Sequence, residues 1–244
     1  MDLNPSLVLI VIALFSVIQS IFGVGLLVFG TPTFLLLGVS YPEAVGYLLP
    51  SSLILSTIQS YVYREKVRIG RGVFLYSIPS VFVGMSLMIN TKQQSIVTML
   101  IGAIILLLAL LRIIGIERFS EKIKIYGRGS LIITGFVHGV SNQGGALLTI
   151  LMGSLYSDKE KIRTNIAFAY LLFGLSQLAV LLWFGTDTIG PMSILYGCVT
   201  VVMYMLLGKN LFQYLNMNTF NLVFTTFMTI YGFLLLFPTL LRII

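Results

Sequence analysis

Polar residues cluster beside two glycine-rich breaks in long apolar stretches. The first break is Gly23-Val24-Gly25, followed by Thr31, and the second spans residues 142–145, preceded by His138 and Ser141. Glycine lets backbone amides approach a ligand closely, and a half-helix that begins at a break presents N–H groups with partial positive charge. Two convergent half-helix N-termini would therefore bind an anion without a buried Lys or Arg.

We therefore predict a substrate site made of residues at the two breaks and one serine of the following segment. The candidate substrate-binding residues are Gly23, Gly25, Thr31, Ser52, His138, Ser141, Asn142, Gln143, Gly144 and Gly145. Alternative roles remain open for several of them. The glycines could serve only close helix crossings, and Asn142 or Ser141 could cap the second half-helix. His138, the only histidine, could carry charge beside an anion or simply bond to a neighbouring helix.

Further polar residues fall at helical spacing in the second apolar block. Ser52, Ser56 and Ser60 recur every fourth position, so they share one helical face, with Gln59 adjacent. Such a face could line a substrate pathway, or it could serve helix packing. In the sixth block the matching polar positions are Asn165, Tyr170 and Gln177.

The acidic residues all lie at the edges of apolar blocks or in loops, and none lies at the centre of one. They are Asp2, Glu43, Glu65, Glu117, Glu121, Asp158, Glu160 and Asp187. Cation transporters usually need a buried carboxylate, so cation transport is disfavoured. The sequence has no carboxylate pair, no metal-ligand cluster and no nucleophile–base arrangement, and its one cysteine is Cys198. We therefore predict no enzymatic activity, no metal and no cofactor.

The elements that position these residues are membrane helices. Hydrophobic residues make up 57% of the chain and charged residues 9%, so its solvent must be lipid. The net charge of +7 does not indicate nucleic-acid binding, because the basic residues lie in short loops, as expected at a membrane surface. The apolar blocks span approximately 6–38, 43–62, 72–90, 95–114, 130–156, 164–185, 190–208 and 217–241.

The first and fifth blocks are too long for one crossing, so each is predicted to be a hairpin or a broken element. If both blocks enter and leave on the same face, thirteen of the fifteen Lys and Arg share one face, and only Lys92 and Arg242 lie opposite. This charge bias favours hairpins, either re-entrant or fully spanning. Each half then contains a hairpin and three crossings, so the second half is inverted, and both termini are predicted to face outward.

The predicted fold is an all-α integral membrane protein with two inverted-topology repeats, residues 1–115 and 116–244. Each repeat has a broken segment, 6–38 or 130–156, followed by three transmembrane helices. Discontinuous helices in corresponding positions of two repeats are typical of transporter binding sites. The leading prediction is a carrier for a small anion by alternating access. A non-transporting membrane scaffold and a passive anion channel are the alternatives, and the oligomeric state, a homo-oligomer included, is left open.

The two breaks resemble the signatures of a known family. Residues 23–32, Gly-Val-Gly-Leu-Leu-Val-Phe-Gly-Thr-Pro, with Pro-Glu-Ala at 42–44, resemble the first motif of the sulfite exporter TauE/SafE family. Residues 139–146, Gly-Val-Ser-Asn-Gln-Gly-Gly-Ala, resemble its second glycine-rich motif. The resemblance implies a plasma-membrane carrier that exports or takes up sulfite, organosulfonates or related sulfur-containing anions. By motif position it points to Gly23, Gly25, Pro32, Asn142, Gly144 and Gly145.

Overall fold

The computed structural model describes residues 3–115, 128–186, 189–214 and 216–243, and all regular structure in these ranges is helical. The first half contains α1 Pro5–Phe22, α2 Leu26–Leu36, α3 Tyr41–Val62, α4 Gly70–Asn90 and α5 Gln94–Ile114. The second half contains α6 Arg128–Ser141, α7 Gly144–Leu155, α8 Lys159–Trp183, α9 Met192–Tyr214 and α10 Met217–Ile243. The predicted all-α membrane fold is confirmed. The linker at 116–127, with Arg118, Lys122 and Lys124, lies outside the described residues, as do Asp2, Glu117, Glu121 and Asp187.

Each predicted break separates two helices. Gly23 ends α1 in the left-handed conformation (φ 76°), and its N–H donates to the carbonyl of Gln19. Asn142 follows α6 with φ 61°, the only described non-glycine residue with positive φ. The helix after the first break begins at Leu26, as predicted. The helix after the second begins at Gly144, so Gly145 lies in its first turn rather than before it.

The helices present apolar surface to lipid. Five of the described helices, α1, α4, α5, α8 and α9, are long and apolar enough to cross a membrane. Large apolar side chains project outward from them; Trp183 is 80% exposed and Ile194 is 74% exposed. The 22-residue α3 instead carries a row of buried polar side chains, because it packs inside the bundle against α2, α8 and α9.

Contacts between loops define two faces of the bundle. On one face, here called the basic face, Lys66 after α3 contacts Asp158 before α8, and the Lys159 ammonium donates to the carbonyl of Gln213 at 3.1 Å. On the opposite face, Gln94 at the start of α5 donates to the carbonyl of Val39 at 3.1 Å. A cavity on this face is lined both by the start of α1 and by the α2–α3 loop. The first broken segment therefore begins and ends on the same face, as a hairpin requires.

The helices of the two halves make interchanged contacts. Helix α4 packs on α6, and α9 packs on α1. Helix α3 packs on α8, and α5 packs on α10. Both α4 and α9 contain a π-helical turn. In α4 the turn is Val73–Ser77, and it lies against Gly135 of α6. In α9 the turn is Tyr204–Gly208, and it lies against Ser20 of α1.

Candidate substrate site at the two helix breaks

The two breaks touch each other. A Cβ atom on Gly145 would lie 2.9 Å from Cγ1 of Val24 and would overlap the hydroxyl of Tyr170. Since α2 begins at Leu26 and α7 at Gly144, the first turns of both helices lie close to this contact. The backbone N–H groups of a helix's first turn have no partners within the helix, and they carry its partial positive charge.

Gln19 anchors the first break. Its Oε1 accepts the Leu26 N–H at 3.1 Å, so this side chain satisfies an amide at the start of α2. Its Nε2 donates to Ser52 Oγ at 3.3 Å and to Ser56 Oγ at 3.2 Å on α3. A Cβ atom on Gly25 would lie only 2.5 Å from the Gln19 backbone nitrogen, so glycine is required there. The predicted residue Ser52 is thus tied to the first break through Gln19.

Asn142 joins the second break to helices of both halves. Its Nδ2 donates to Thr31 Oγ1 at 2.7 Å, and its Oδ1 accepts from Gln177 Nε2 at 2.6 Å. Helix α7 has no side-chain hydrogen bond at its N-cap position, Gln143, and the Asn142 amide is used in these two bonds, so Asn142 does not cap the helix. Ser141 Oγ instead donates to the carbonyl of Val137 and accepts the Gln143 N–H at 3.3 Å. The Asn142 side chain is therefore a bridge between α2 and α8.

Several buried polar atoms around the second break lack hydrogen-bond partners in the described part of the chain. They are both ring nitrogens of His138, the Oε1 atoms of Gln143 and Gln177, and the Tyr170 hydroxyl, which lies beside the Gly145 backbone amide without a hydrogen bond of ordinary geometry. Gln177 lies beside the His138 ring without a hydrogen bond of ordinary geometry to either nitrogen. The ring centroid of His138 lies 5.0 Å from that of Tyr170. Buried polar groups are normally paired, so this cluster can bind a polar ligand.

All ten predicted site residues are buried, and the structure divides them into two neighbouring groups. Gly23, Gly25 and Ser52 lie at the first break with Gln19. Thr31 and residues His138 to Gly145 lie at the second break with Gln177 and Tyr170. Asn142 is 0% and Gln143 is 1% exposed, so the site is sealed from both faces in this conformation.

Two buried arginines were missed by the sequence analysis, which placed all basic residues in loops. Arg163 on α8 is 5% exposed; its Nη1 donates to the Ser20 carbonyl at 3.3 Å, and its guanidinium lies 3.5 Å from the Phe212 ring centroid. Arg112 on α5 is 8% exposed and donates to Thr149 on α7 at 2.9 Å. The sequence carried a signal that Arg163 lies in a helix rather than a loop, because an N-cap at Asp158 places it in the second helical turn, but it carried none for its burial.

The described carboxylates remain outside the core. Glu43, Glu65, Asp158 and Glu160 are all exposed or half-exposed. No group of three or more His, Cys, Asp or Glu residues that could hold a metal occurs among the described residues. The buried charge in the described helices is therefore positive, which suits an anionic ligand.

A bundle of apolar helices around a buried polar cluster, where two broken helices meet, defines a multi-pass α-helical membrane protein. The chain matches the family described as "Sulfite exporter TauE/SafE" over residues 8–235, nearly its whole length. It belongs to this family of membrane transporters. No curated protein and no solved structure matches the chain.

Proposed function

We propose that this protein is a plasma-membrane carrier for a small sulfur-containing anion, such as sulfite or an organosulfonate. The observation that carries the proposal is the meeting of the two helix starts at Gly145 and Val24, beside buried polar atoms that lack partners. Family membership supports a sulfur-containing substrate. The lack of a buried carboxylate in the described helices also favours an anion over a cation.

The chemistry of the site suits an anion that must be released again. Sulfite and sulfonate groups carry three oxygens, each able to accept several hydrogen bonds. The first backbone amides of α7, the Tyr170 hydroxyl and the His138 ring would provide donors without a full positive charge in contact with the ligand. Permeation requires binding strong enough for entry and weak enough for exit, and neutral donors satisfy both conditions.

Transport would proceed by alternating access between two inverted repeats, residues 1–115 and 116–244. The interchanged contacts support this arrangement: α4 with α6 and α9 with α1, around the pairs α3–α8 and α5–α10. The sealed site is the occluded form that such a cycle requires. With the basic face toward the cytoplasm, as the positive-inside rule favours, both termini would lie outside.

A scaffold without transport activity is the second candidate. Such a scaffold would pack tightly around Asn142 and Gln143, as these buried residues do. A carrier in an occluded conformation shows the same packing. The polar atoms without partners favour the carrier, because a scaffold gains nothing from unpaired groups in its core. A passive channel would instead show conductance far above carrier turnover.

Uptake of radiolabelled sulfite into liposomes that contain the purified protein tests the proposal, with methanesulfonate as competitor. We expect saturable uptake that Gly145→Ala reduces at least tenfold, because the new Cβ would overlap the Tyr170 hydroxyl at the site. The matched control is Gly153→Ala in the same helix, where a Cβ meets no atom within 4 Å. The proposal fails if no sulfite or sulfonate moves under any gradient, or if both variants behave alike.

A further inference from the structure

The opposite face has an open junction between the two halves. A cavity of about 680 Å³ lies there. The first half lines it with Ser40, Glu43 and Tyr47 at the start of α3, and the second half with Thr186, Gly190 and Ser193 around the α8–α9 loop. Tyr47 packs edge-on against Tyr196 of α9, with ring centroids 6.4 Å apart, so an aromatic pair of one residue from each half also lines the cavity.

The basic face has a closed junction, and Asn165 of α8 closes it. Its Oδ1 accepts the backbone N–H groups of Arg68 at 2.7 Å and Ile69 at 3.3 Å. Its Nδ2 donates to the carbonyl of Lys66 at 2.9 Å and to that of Lys161 at 2.7 Å. Asn165 is 0% exposed and fully satisfied, so one side chain of the second half binds three backbone groups of the α3–α4 loop.

An ion pair reinforces this closure at the surface. The Lys66 ammonium lies 3.1 Å from Asp158 Oδ2 and also contacts the carboxylate of Glu160. Both carboxylates belong to the start of α8, whereas Lys66 belongs to the α3–α4 loop. The three side chains are partly exposed, so the ion pair adds less to closure than the buried amide does. We call Asn165, Lys66, Asp158 and Glu160 the latch.

The open and the closed junction occupy equivalent places in the two halves. Ser40 is the N-cap of α3 and Asp158 is the N-cap of α8. Tyr47 follows the first cap by seven residues, and Asn165 follows the second by seven. In each half this helix start faces a loop of the other half: the α8–α9 loop on the opposite face, the α3–α4 loop on the basic face. One junction holds a cavity, and the other is filled by hydrogen bonds.

We propose that the latch is the gate of the basic face, and that it holds this face shut in an occluded conformation whose opposite face keeps a cavity at the Tyr47–Tyr196 pair. Release of Asn165 and Lys66 opens the basic face. The inference rests on the proposed two-repeat carrier, because the two junctions exchange states only if the halves move against each other. Asn165 and Lys66 act on access and do not touch the substrate.

Thiol labelling tests the gate without any substrate. Single cysteines are placed, in a Cys198→Ser background, at Thr164, which is 1% exposed beside Asn165, and at Ser193, which lines the cavity. Purified protein in nanodiscs exposes both faces to a maleimide, so the orientation need not be known. The cysteine at 193 should react rapidly and that at 164 slowly. Asn165→Ala should speed labelling at 164 about tenfold and slow it at 193, because the loop loses buried hydrogen bonds.

A milder variant and a matched control complete the test. Lys66→Gln removes only the partly exposed ion pair and should shift both rates in the same directions by about twofold. Asn210→Ala, an exposed asparagine after α9's π-turn whose side chain bonds only within its own helix, should change neither rate. The gate proposal is overturned if Asn165→Ala and Lys66→Gln both leave the labelling rates unchanged. If the protein transports sulfite but the labelling rates do not respond to these substitutions, the latch is rejected and the proposed function stands. If the labelling rates respond but no sulfite is transported, the proposed substrate is rejected and the latch stands.

Discussion

At the scale of single residues, His138 offers the most direct test of the site. Both ring nitrogens are buried without a hydrogen bond, and the ring packs against Tyr170 and Phe173, with centroids 5.0 Å and 4.7 Å away. Leaving a buried donor or acceptor unpaired costs about 1–3 kcal/mol. A ligand that pairs with the imidazole would recover part of this cost on binding.

The substitution His138→Phe separates ring packing from hydrogen bonding. Phenylalanine keeps an aromatic ring beside Tyr170 and Phe173 but removes both nitrogens. We expect the melting temperature in detergent to stay within a few degrees or rise, because two unpaired polar atoms are lost. Sulfite uptake should fall at least tenfold. Unchanged uptake would mean that the imidazole serves packing alone.

Residue roles were predictable where chemistry is local and not where it depends on neighbours. The glycines at 23, 25 and 145 stand where a side chain would collide, and this need is visible in the sequence as a break. The burial of Arg163 is not visible in the sequence, because its partners Ser20 and Phe212 come from helices distant in sequence. Its position beside the first break therefore emerged only from the fold.

At the scale of elements, the turn between α6 and α7 depends on an uncommon backbone conformation. Asn142 holds φ at 61°, a region that costs most L-residues about 1–2 kcal/mol and glycine nothing. The same residue provides the side-chain bridge to Thr31 and Gln177. Asparagine satisfies both demands, since it tolerates this backbone region and carries an amide.

Two substitutions at Asn142 distinguish the backbone demand from the bridge. Asn142→Gly loses the bridge but fits the turn, whereas Asn142→Ala loses the bridge and strains the backbone. We expect the alanine variant to be less stable than the glycine variant by about 1 kcal/mol, the reverse of their order inside a helix. Thermal unfolding of both in one detergent measures this. If alanine proves the more stable, the turn does not need the left-handed conformation.

The predicted helix breaks illustrate what sequence can and cannot provide at this scale. Apolar length and clustered glycines were enough to place both breaks within one or two residues. The connections across them were not predictable: Gln19 folds back to bond Leu26, seven residues later, and Asn142 reaches Thr31 on another helix. Such bonds depend on the relative placement of helices, which periodicity does not encode.

At the scale of the whole molecule, the latch should respond to pH only at the extremes. Hydrogen bonds to Glu160 and Asp158 raise the pKa of Lys66. Partial desolvation raises the pKa of Asp158, but the Lys66 ammonium and the backbone amides of Glu160 and Lys161 outweigh it and leave that pKa lowered. The lysine's contribution is lost only as pH rises through its raised pKa, and the aspartate's only as pH falls through its lowered pKa. Both side chains therefore make their full contribution to stability between about pH 5 and pH 9.

The difference in melting temperature between the unmodified protein and Lys66→Gln measures this contribution. We expect the difference to be constant from about pH 5 to pH 9 and to be lost as the pH falls through the lowered pKa of Asp158. Thermal scans across this range provide the measurement. A difference that changes between about pH 6 and pH 7 would contradict the assignment of this contribution to the ion pair.

Charge distribution predicted which loops share a face, and the contact between Lys66 and Asp158 agrees with it. Composition alone was enough for the membrane assignment. The latch could not be predicted from the sequence, because a lysine in one loop and two acidic residues in another look the same there as ordinary solvated charges. Only their meeting across the two halves gives them a role.

The crossing of α5 and α10 has a consequence for how this chain can change over time. A Cβ on Gly102 would lie 3.0 Å from the Leu236 backbone nitrogen, and one on Gly232 would lie 3.1 Å from that of Leu106. Each glycine thus makes room for the backbone of the other half. A mutation that enlarges either residue displaces the last helices of both halves together. The last helices of the two halves are therefore under a shared constraint here, and neither can accumulate bulk without a compensating change in its counterpart.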